Sequence, residues 1–292
     1  MTELAPVSGG ILVAIAAAAT LGLAAVSTAL FWLRRRRWLR RVRRASGRVG
    51  PRHPVVLLHG LLGFDEVVLG PARVAYFRGL TERLQRAGAD VHRPRVARTA
   101  SIAERGAQLA ARIEALPAKR VNIIAHSMGG LDARWAIARL GLSERVASLV
   151  TIGTPHRGSP LADLGAGLFG EKLGLRRVLG GLGMDVAAFY DLTTARMAAF
   201  NEQVRDARGV WYASVVAHAD GGSTSPLLWA THRYLSAREG PNDGLVPLAS
   251  QAWGEVLLEL EADHFAQIGW SLRFDAAELF EELLRELRGR GF

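Results

Sequence analysis

The sequence contains no cysteine. This absence excludes disulfide bonds, metal sites built on thiolates and cysteine nucleophiles, although it does not identify the cellular compartment. The chain also lacks internal repeats and low-complexity tracts. At 292 residues it is long enough for one large domain and an accessory segment.

The net positive charge is concentrated in the N-terminal part of the chain, because acidic residues nearly balance the basic ones in the rest. The formal net charge is +10, but residues 1–50 contain nine Arg and one Glu, a net of +8, so only +2 remains for residues 51–292. The basic excess directly follows a hydrophobic run, which favours contact with an anionic membrane surface over nucleic-acid binding.

Residues 10–33 carry no charge and consist almost wholly of Ala, Leu, Val, Ile and Gly. About 20 apolar residues suffice to cross a bilayer as a helix, so we predict a transmembrane helix here, with Trp32 and Trp38 at the interface. Eight Arg lie between Arg34 and Arg44 and none precedes the run. The positive-inside rule therefore predicts a single-pass inner-membrane protein with the rest of the chain in the cytoplasm. A cleaved export signal behind a misplaced start codon is the alternative.

After a linker of Gly, Pro and Arg, apolar runs rich in β-branched residues alternate with helix-period segments. This pattern predicts an α/β fold with a mostly parallel sheet of about six strands flanked by helices. A capping box formed by Ser101 and Glu104 begins one helix, which ends near Leu116. Strands are expected at 55–58, 91–96, 121–124, 147–152, 210–216 and 255–260, and further helices at 72–87, 131–140 and 275–287.

The stretch VNIIAHSMGG, from Val121 to Gly130, predicts a nucleophilic serine. A strand runs into a tight turn bearing Ser127 and a helix leaves it, the geometry that exposes a hydroxyl at the carboxyl edge of a sheet. The N-terminus of that helix also stabilises developing negative charge. Ala125 stands where the usual G-x-S-x-G pattern has its first glycine, and a methyl group is a small departure.

A second motif, His59-Gly60-Leu61, directly follows the first strand. Acyl transfer needs two backbone N–H groups aimed at the carbonyl oxygen as it becomes an oxyanion. One comes from the residue after the nucleophile, here Met128, and the other from this loop, where Leu61 is the expected donor.

The serine needs a base, and the base needs an orienting carboxylate. In the chain order that accompanies this turn, the acid and then the histidine follow the serine. Asp243, in the polar turn NDGLVP, is the preferred acid, and His264, the only histidine after it, is the predicted base. Asp220 and Asp263 remain competing acids. The histidines interpreted as structural are His126 and His156.

The chain resembles the bacterial triacylglycerol lipases of the Pseudomonas and Burkholderia type over residues 54–268. The motifs that carry the resemblance are HGLLGF, VNIIAHSMGGLDAR, TIGTPHRGS, DLTTARMAAFN and NDGLVP. The resemblance implies the α/β-hydrolase fold, hydrolysis of acyl esters, Ser127, Asp243 and His264 as the triad, and Leu61 with Met128 as oxyanion donors. We therefore expect a tail at 1–9, the transmembrane helix at 10–33, an Arg-rich linker at 34–54 and a catalytic domain at 55–292. Within that domain, the Gly- and Leu-rich segment 161–184 is either a lid or acyl-binding wall, or a helical connection packed on the sheet.

The departures from this family concern metal binding and export. Its members bind a structural calcium near the catalytic histidine, with an Asp two residues after it and a Gln a few beyond. Ala266 and, on direct spacing, Trp270 stand at those positions here, so we expect neither this metal site nor any cofactor. Secreted members use an export signal, whereas the apolar helix of this chain is expected to be retained.

The main hypothesis is a membrane-anchored lipase or esterase that cleaves acyl esters or lipids. A phospholipase or an acyltransferase would use the same acyl-enzyme, because water and an alcohol can both accept the acyl group. An inactive membrane-associated scaffold is disfavoured because the triad residue types and both oxyanion loops are retained. A nucleic-acid binder is disfavoured because the Arg cluster adjoins a spanning helix.

Overall fold

Eight strands are present in the computed structural model, which describes residues 50–63, 66–69, 72–171 and 187–292. They are β1 (Val55–Leu58), β2 (Glu66–Leu69), β3 (Ala72–Ala75), β4 (Val91–His92), β5 (Val121–His126), β6 (Val146–Ile152), β7 (Trp211–His218) and β8 (Glu255–Glu261). Six of them form one parallel sheet in the order β4-β1-β5-β6-β7-β8, and β2 and β3 form a separate antiparallel pair. This architecture confirms the predicted parallel sheet of about six strands.

Helices cover the sheet and connect its strands. They are α1 (Leu80–Arg86), α2 (Ile102–Glu114), α3 (Gly129–Arg139), α4 (Pro160–Glu171), α5 (Ala187–Asp191), α6 (Thr194–Gln203), α7 (Trp229–Glu239), α8 (Leu248–Gln251) and α9 (Ala276–Gly289), with short 3₁₀ turns at Leu142–Glu144, Pro226–Leu228 and Ala266–Ile268. Every residue of β1, β5 and β6 is buried, as expected for parallel strands with both faces covered. The carboxyl ends of these three strands lie side by side, since Leu58 pairs with Ala125 and His126 pairs with Ile152.

The helix expected over 72–87 is wrong in its first half. Ala72–Ala75 pairs with Glu66–Leu69 as an antiparallel hairpin, and α1 begins only at Leu80. The preceding Gly79 has a left-handed φ of +69°, which a continuous right-handed helix does not allow. The apolar and aromatic residues Val74, Tyr76 and Phe77 suit a strand as well as a helix face, so pairing across the hairpin determines the secondary structure.

Two predicted segments lie wholly or partly outside the described residues. The transmembrane helix at 10–33 lies entirely outside them, and no helix within the described ranges is long and apolar enough to cross a bilayer. The segment 161–184 begins inside α4, so its first part is helical, while residues 172–184 are not described.

Candidate active site

Ser127 lies at the corner between β5 and α3, in a left-handed conformation with φ of +56°. Such a conformation is strained for a residue with a side chain, and it persists only where its surroundings enforce it. The Ser127 amide donates to Ile152 O at 2.9 Å, and its carbonyl accepts from the Thr154 hydroxyl at 2.7 Å. A Cβ at Gly129 would lie 2.8 Å from the His59 carbonyl oxygen, so only glycine fits after the Ser127-Met128 pair. These contacts explain why the second residue after the serine must be glycine.

The loop after β1 approaches the serine closely. A Cβ at Gly60 would lie 2.6 Å from the Cβ of Ser127, so the two backbones can meet only because Gly60 has no side chain. The Leu62 amide donates to Arg98 O at 2.8 Å, which fixes the loop. The amides of Leu61 and Met128 donate to no other residue in the described part of the chain. Both therefore remain available as donors beside Ser127.

Asp243 and His264 form a buried pair. Asp243 Oδ2 accepts from His264 Nδ1 at 2.7 Å, and Oδ1 accepts from the amides of Leu245 and Val246 at 3.0 and 2.8 Å. The His264 amide also donates to the Asp243 carbonyl at 2.8 Å. Because Oδ2 accepts from Nδ1, Asp243 can hold the imidazole with its proton on Nδ1 and leave Nε2 as the acceptor.

This pair reaches the same sheet edge as the serine. The ring of His126, the residue before Ser127, lies 4.5 Å from the ring of His264, centroid to centroid. A Cβ at Gly153, directly after β6, would lie 3.2 Å from Asp243 Oδ2. The structure therefore brings together the predicted serine, acid and histidine at the carboxyl ends of β5 and β6.

The carboxylates of the two competing acids accept hydrogen bonds from backbone amides. Asp220 is exposed, and its Oδ1 accepts from the amides of Gly222 and Ser223 in its own loop. Asp263 is buried, with Oδ2 accepting from the Ser225 amide at 2.7 Å and Oδ1 from the Ala266 amide at 2.8 Å. Within the described residues neither carboxylate is hydrogen-bonded to a histidine.

His156 lies away from this pair. Its Nε2 faces the Thr151 hydroxyl at 3.1 Å, and its Nδ1 faces Arg134 Nη1 at 3.2 Å. Burial, reinforced by the charge of Arg134, lowers the pKa of His156 well below its ordinary value. The side chain is thus a neutral, buried hydrogen-bonding group, in agreement with its interpretation as structural.

The positions implied for calcium do not supply ligands. Ala266 has no side-chain oxygen, and the Trp270 indole Nε1 donates to the Tyr76 carbonyl at 2.9 Å. In the part of the chain that the structure describes, no group of three or more His, Cys, Asp or Glu residues could hold a metal ion. The residues present therefore do not fit the calcium site of the resembling family.

Tyr76 contacts the site and was not predicted from the sequence. Its hydroxyl accepts from the Gly60 amide at 3.2 Å and lies 2.7 Å from His126 Nδ1. Burial raises the pKa of Tyr76, so the phenol keeps its proton at neutral pH. No local motif marks this tyrosine, because the β2–β3 hairpin returns the chain to the site.

An internal ion pair supports the loop after β1. Arg105 Nη2 lies 2.7 Å from Asp132 Oδ2, and both side chains are fully buried. The same nitrogen of Arg105 donates to the carbonyl of His59 at 2.9 Å. Burial raises the pKa of Asp132 to about 6, against the opposing charge of Arg105. The pair therefore connects α2 and α3 to the backbone that carries Leu61.

A family model described as the α/β hydrolase fold matches residues 53–201. Triacylglycerol lipase 2 of Saccharomyces cerevisiae is 32% identical over 272 residues, which cover 75% of this chain and 81% of the yeast protein. The triacylglycerol lipase of Pseudomonas fragi is 38% identical over 144 residues, covering 48% of this chain and 44% of that protein. A solved Bacillus licheniformis lipase in mature form is 26% identical with a TM-score of 0.63, covering 82% of this chain and 94% of that chain.

These relatives can be compared with the family resemblance that the sequence motifs indicate. Relatives from Pseudomonas and Burkholderia are among the matching triacylglycerol lipases, so the predicted resemblance is confirmed. The chain spans less than half the length of both of these bacterial relatives, and most of the yeast relative.

Proposed function

Because this chain belongs to the triacylglycerol lipases of the α/β-hydrolase family, which are carboxylic ester hydrolases, we propose that it cleaves acyl esters of lipids through an acyl-enzyme on Ser127. The observation that carries the proposal is the buried hydrogen bond of 2.7 Å between Asp243 and His264, at the sheet edge where Ser127 is held in a strained turn.

The proposed reaction begins with attack of Ser127 Oγ on the ester carbonyl. His264 takes the hydroxyl proton at Nε2 and returns it to the leaving alcohol, while Asp243 keeps the Nδ1–H in place and stabilises the imidazolium. The amides of Leu61 and Met128 donate to the oxyanion. Water then attacks the acyl-enzyme by the same route and releases the fatty acid.

Replacement of the serine tests this proposal. In mild detergent, wild type and Ser127→Ala are compared on p-nitrophenyl esters from short to long acyl chains, with circular dichroism to confirm that the variant is folded. We expect kcat to fall roughly 10⁴-fold or more, and the chain-length profile of the wild type to distinguish an esterase from a lipase. Equal activity of the two folded proteins would exclude Ser127 as the nucleophile.

We also propose that residues 10–33 anchor the enzyme in the inner membrane, with the catalytic domain on the cytoplasmic side. Support comes from the uncharged run, from the Arg cluster that follows it, and from the partitioning of acyl lipids into bilayers, which would bring substrate to the enzyme.

The lack of native cysteine allows a direct test of this topology. Glu114 is exposed at the end of α2, so Glu114→Cys gives a single reactive thiol. We expect the variant to sediment with membranes and to react with a membrane-impermeant maleimide only after the cells are permeabilised. Labelling in intact cells would show that the catalytic domain lies on the opposite side of the membrane. Recovery of the full chain in the soluble fraction would exclude the anchor.

A further inference from the structure

Two buried polar atoms beside the Asp243–His264 pair have no hydrogen-bond partner among the residues that the structure describes. They are Nε2 of His126 and Oε1 of Gln267, on side chains with no exposed surface. A buried polar atom without a partner is costly, and such atoms are rare in folded proteins. Their presence here therefore needs a physical reason.

Both atoms lie at the carboxyl end of β6. His126 pairs with Ile152 across the parallel strands, and a Cβ at the next residue, Gly153, would overlap Gln267 Oε1. Burial lowers the pKa of His126 well below its ordinary value and the nearby His264 side chain adds to this, while the His264 carbonyl and the Gln267 side chain oppose the lowering. The two side chains are thus neighbours, although no hydrogen bond joins these two atoms in this structure.

The protons on His126 follow from its other neighbour. The Gly60 amide can only donate, so it occupies the Tyr76 hydroxyl oxygen as an acceptor. The Tyr76 hydroxyl can then donate its proton to His126 Nδ1, 2.7 Å away. In this arrangement neutral His126 carries its own proton on Nε2, which makes this nitrogen a donor, and Gln267 Oε1 is an acceptor. The two unpaired atoms are complementary.

The far end of Gln267 contacts the candidate triad. Its Nε2 donates to Asp243 Oδ2 at 3.0 Å, the same oxygen that accepts from His264 Nδ1. When a carbonyl oxygen accepts a hydrogen bond, the amide N–H of the same group becomes a stronger donor, since neighbouring hydrogen bonds polarise one another. A contact from His126 to Gln267 would thus act on the Asp243–His264 pair.

We propose that His126 is a positioning residue that joins the oxyanion loop to the catalytic pair, through Tyr76 on one side and Gln267 on the other. A small approach of His126 Nε2 to Gln267 Oε1 completes a continuous path from the Gly60 amide to His264. The path fixes the position of the oxyanion donors relative to the catalytic base. This inference rests on the proposed function, because it assigns a role relative to Ser127 chemistry.

A double-mutant cycle tests the path. Tyr76→Phe removes the hydroxyl, Gln267→Met removes the amide, and these two side chains are connected in the proposed path only through His126. For p-nitrophenyl butyrate hydrolysis by the full chain in detergent, each single change is expected to lower kcat about tenfold with little change in KM, as for weakening one hydrogen bond to a charged group. The double variant is then expected to lose about tenfold as well, and not the roughly hundredfold loss of independent sites.

Ser148→Ala provides the matched control. Ser148 is also buried in β6, but its hydroxyl donates to Asn122 Oδ1 at 2.8 Å, at the opposite end of the strand. Combined with Tyr76→Phe, it is expected to give a purely additive effect on kcat. If Gln267→Met does not fold, Gln267→Asn shortens the side chain and replaces it in the cycle.

The outcomes separate this inference from the proposed function. If Ser127→Ala abolishes hydrolysis but Tyr76→Phe and Gln267→Met act additively, or leave kcat unchanged, the path is wrong and the enzyme assignment stands. If Ser127→Ala leaves activity unchanged, the proposed function fails first. Non-additive losses in kcat confined to the Tyr76–Gln267 pair would support the positioning role of His126.

Discussion

The two oxygens of Asp243 have different partners, and this difference predicts the effect of Asp243→Asn. Oδ1 accepts from two backbone amides, so the amide oxygen of an asparagine is held there. The new NH₂ group then faces His264 Nδ1 and Gln267 Nε2, both donors at present. His264 must release its Nδ1 proton and carry it on Nε2, where it can no longer accept the serine proton. We expect kcat for p-nitrophenyl esters to fall on the order of 10⁴-fold with the fold retained.

Asp220→Asn is the control for this change. Asp220 has the same side chain but lies exposed in its own loop, so its replacement is expected to leave kcat close to that of the wild type. A larger loss in Asp220→Asn than in Asp243→Asn would assign the orienting carboxylate to Asp220.

Single residues could be predicted from the sequence where chain order restricts the choice. Ser127 stands in a recognisable strand–turn–helix motif, and His264 is the only histidine after the NDGLVP turn. Tyr76 and Gln267 could not be predicted, since their contacts depend on how a hairpin and a short 3₁₀ turn return to the sheet edge. Their hydrogen bonds span 50 and 24 residues of sequence, and no local pattern encodes such a separation.

At the scale of whole elements, the start of α2 is fixed by local chemistry. Ser101 Oγ accepts from the Glu104 amide, and the Glu104 carboxylate accepts from the Ser101 amide at 3.1 Å, as the sequence predicts. We expect Ser101→Ala to lower the free energy of unfolding by about 1 kcal/mol in urea titrations. Ser101→Asp keeps an acceptor at the N-cap and is expected to lose less. Equal losses for the two variants would show that the cap oxygen does not stabilise the helix.

Helices and strands are predicted correctly where the apolar residues follow one clear spacing, either that of a helix or that of a strand. The prediction fails where the spacing suits both. The buried strands β1, β5 and β6 are mostly apolar, and each was expected within two residues of its observed ends. The segment 72–87 contains residues that suit either a strand or a helix, and the partner strand Glu66–Leu69 decides between them. The pairing with that strand depends on the tertiary structure, so the sequence pattern alone could not determine whether the segment is a strand or a helix.

For the whole molecule, buried histidines couple stability to pH. Burial lowers the pKa of His126 and of His156 well below the ordinary 6.5. Below about pH 6.5 the unfolded chain therefore binds protons that the folded protein excludes, so the free energy of unfolding decreases as pH falls. Each such histidine contributes up to about 1.4 kcal/mol per pH unit below that point. Two groups act in the opposite direction: Glu259 raises the pKa of His218, and burial raises that of Asp132.

The contribution of His156 can be separated from these opposing groups by comparing how steeply the free energy of unfolding changes with pH in two proteins. In urea titrations between pH 7.5 and 5.5, His156→Gln removes one titrating imidazole while His218 and Asp132 stay in place. We expect its free energy of unfolding to fall less steeply with acidification than that of the wild type, by up to about 1.4 kcal/mol per pH unit. The absolute stability of the variant is expected to be lower at pH 7.5, because glutamine cannot reproduce both contacts of the ring with Thr151 and Arg134. Parallel slopes would mean that His156 takes up a proton in the folded protein, which its burial beside the Arg134 guanidinium opposes.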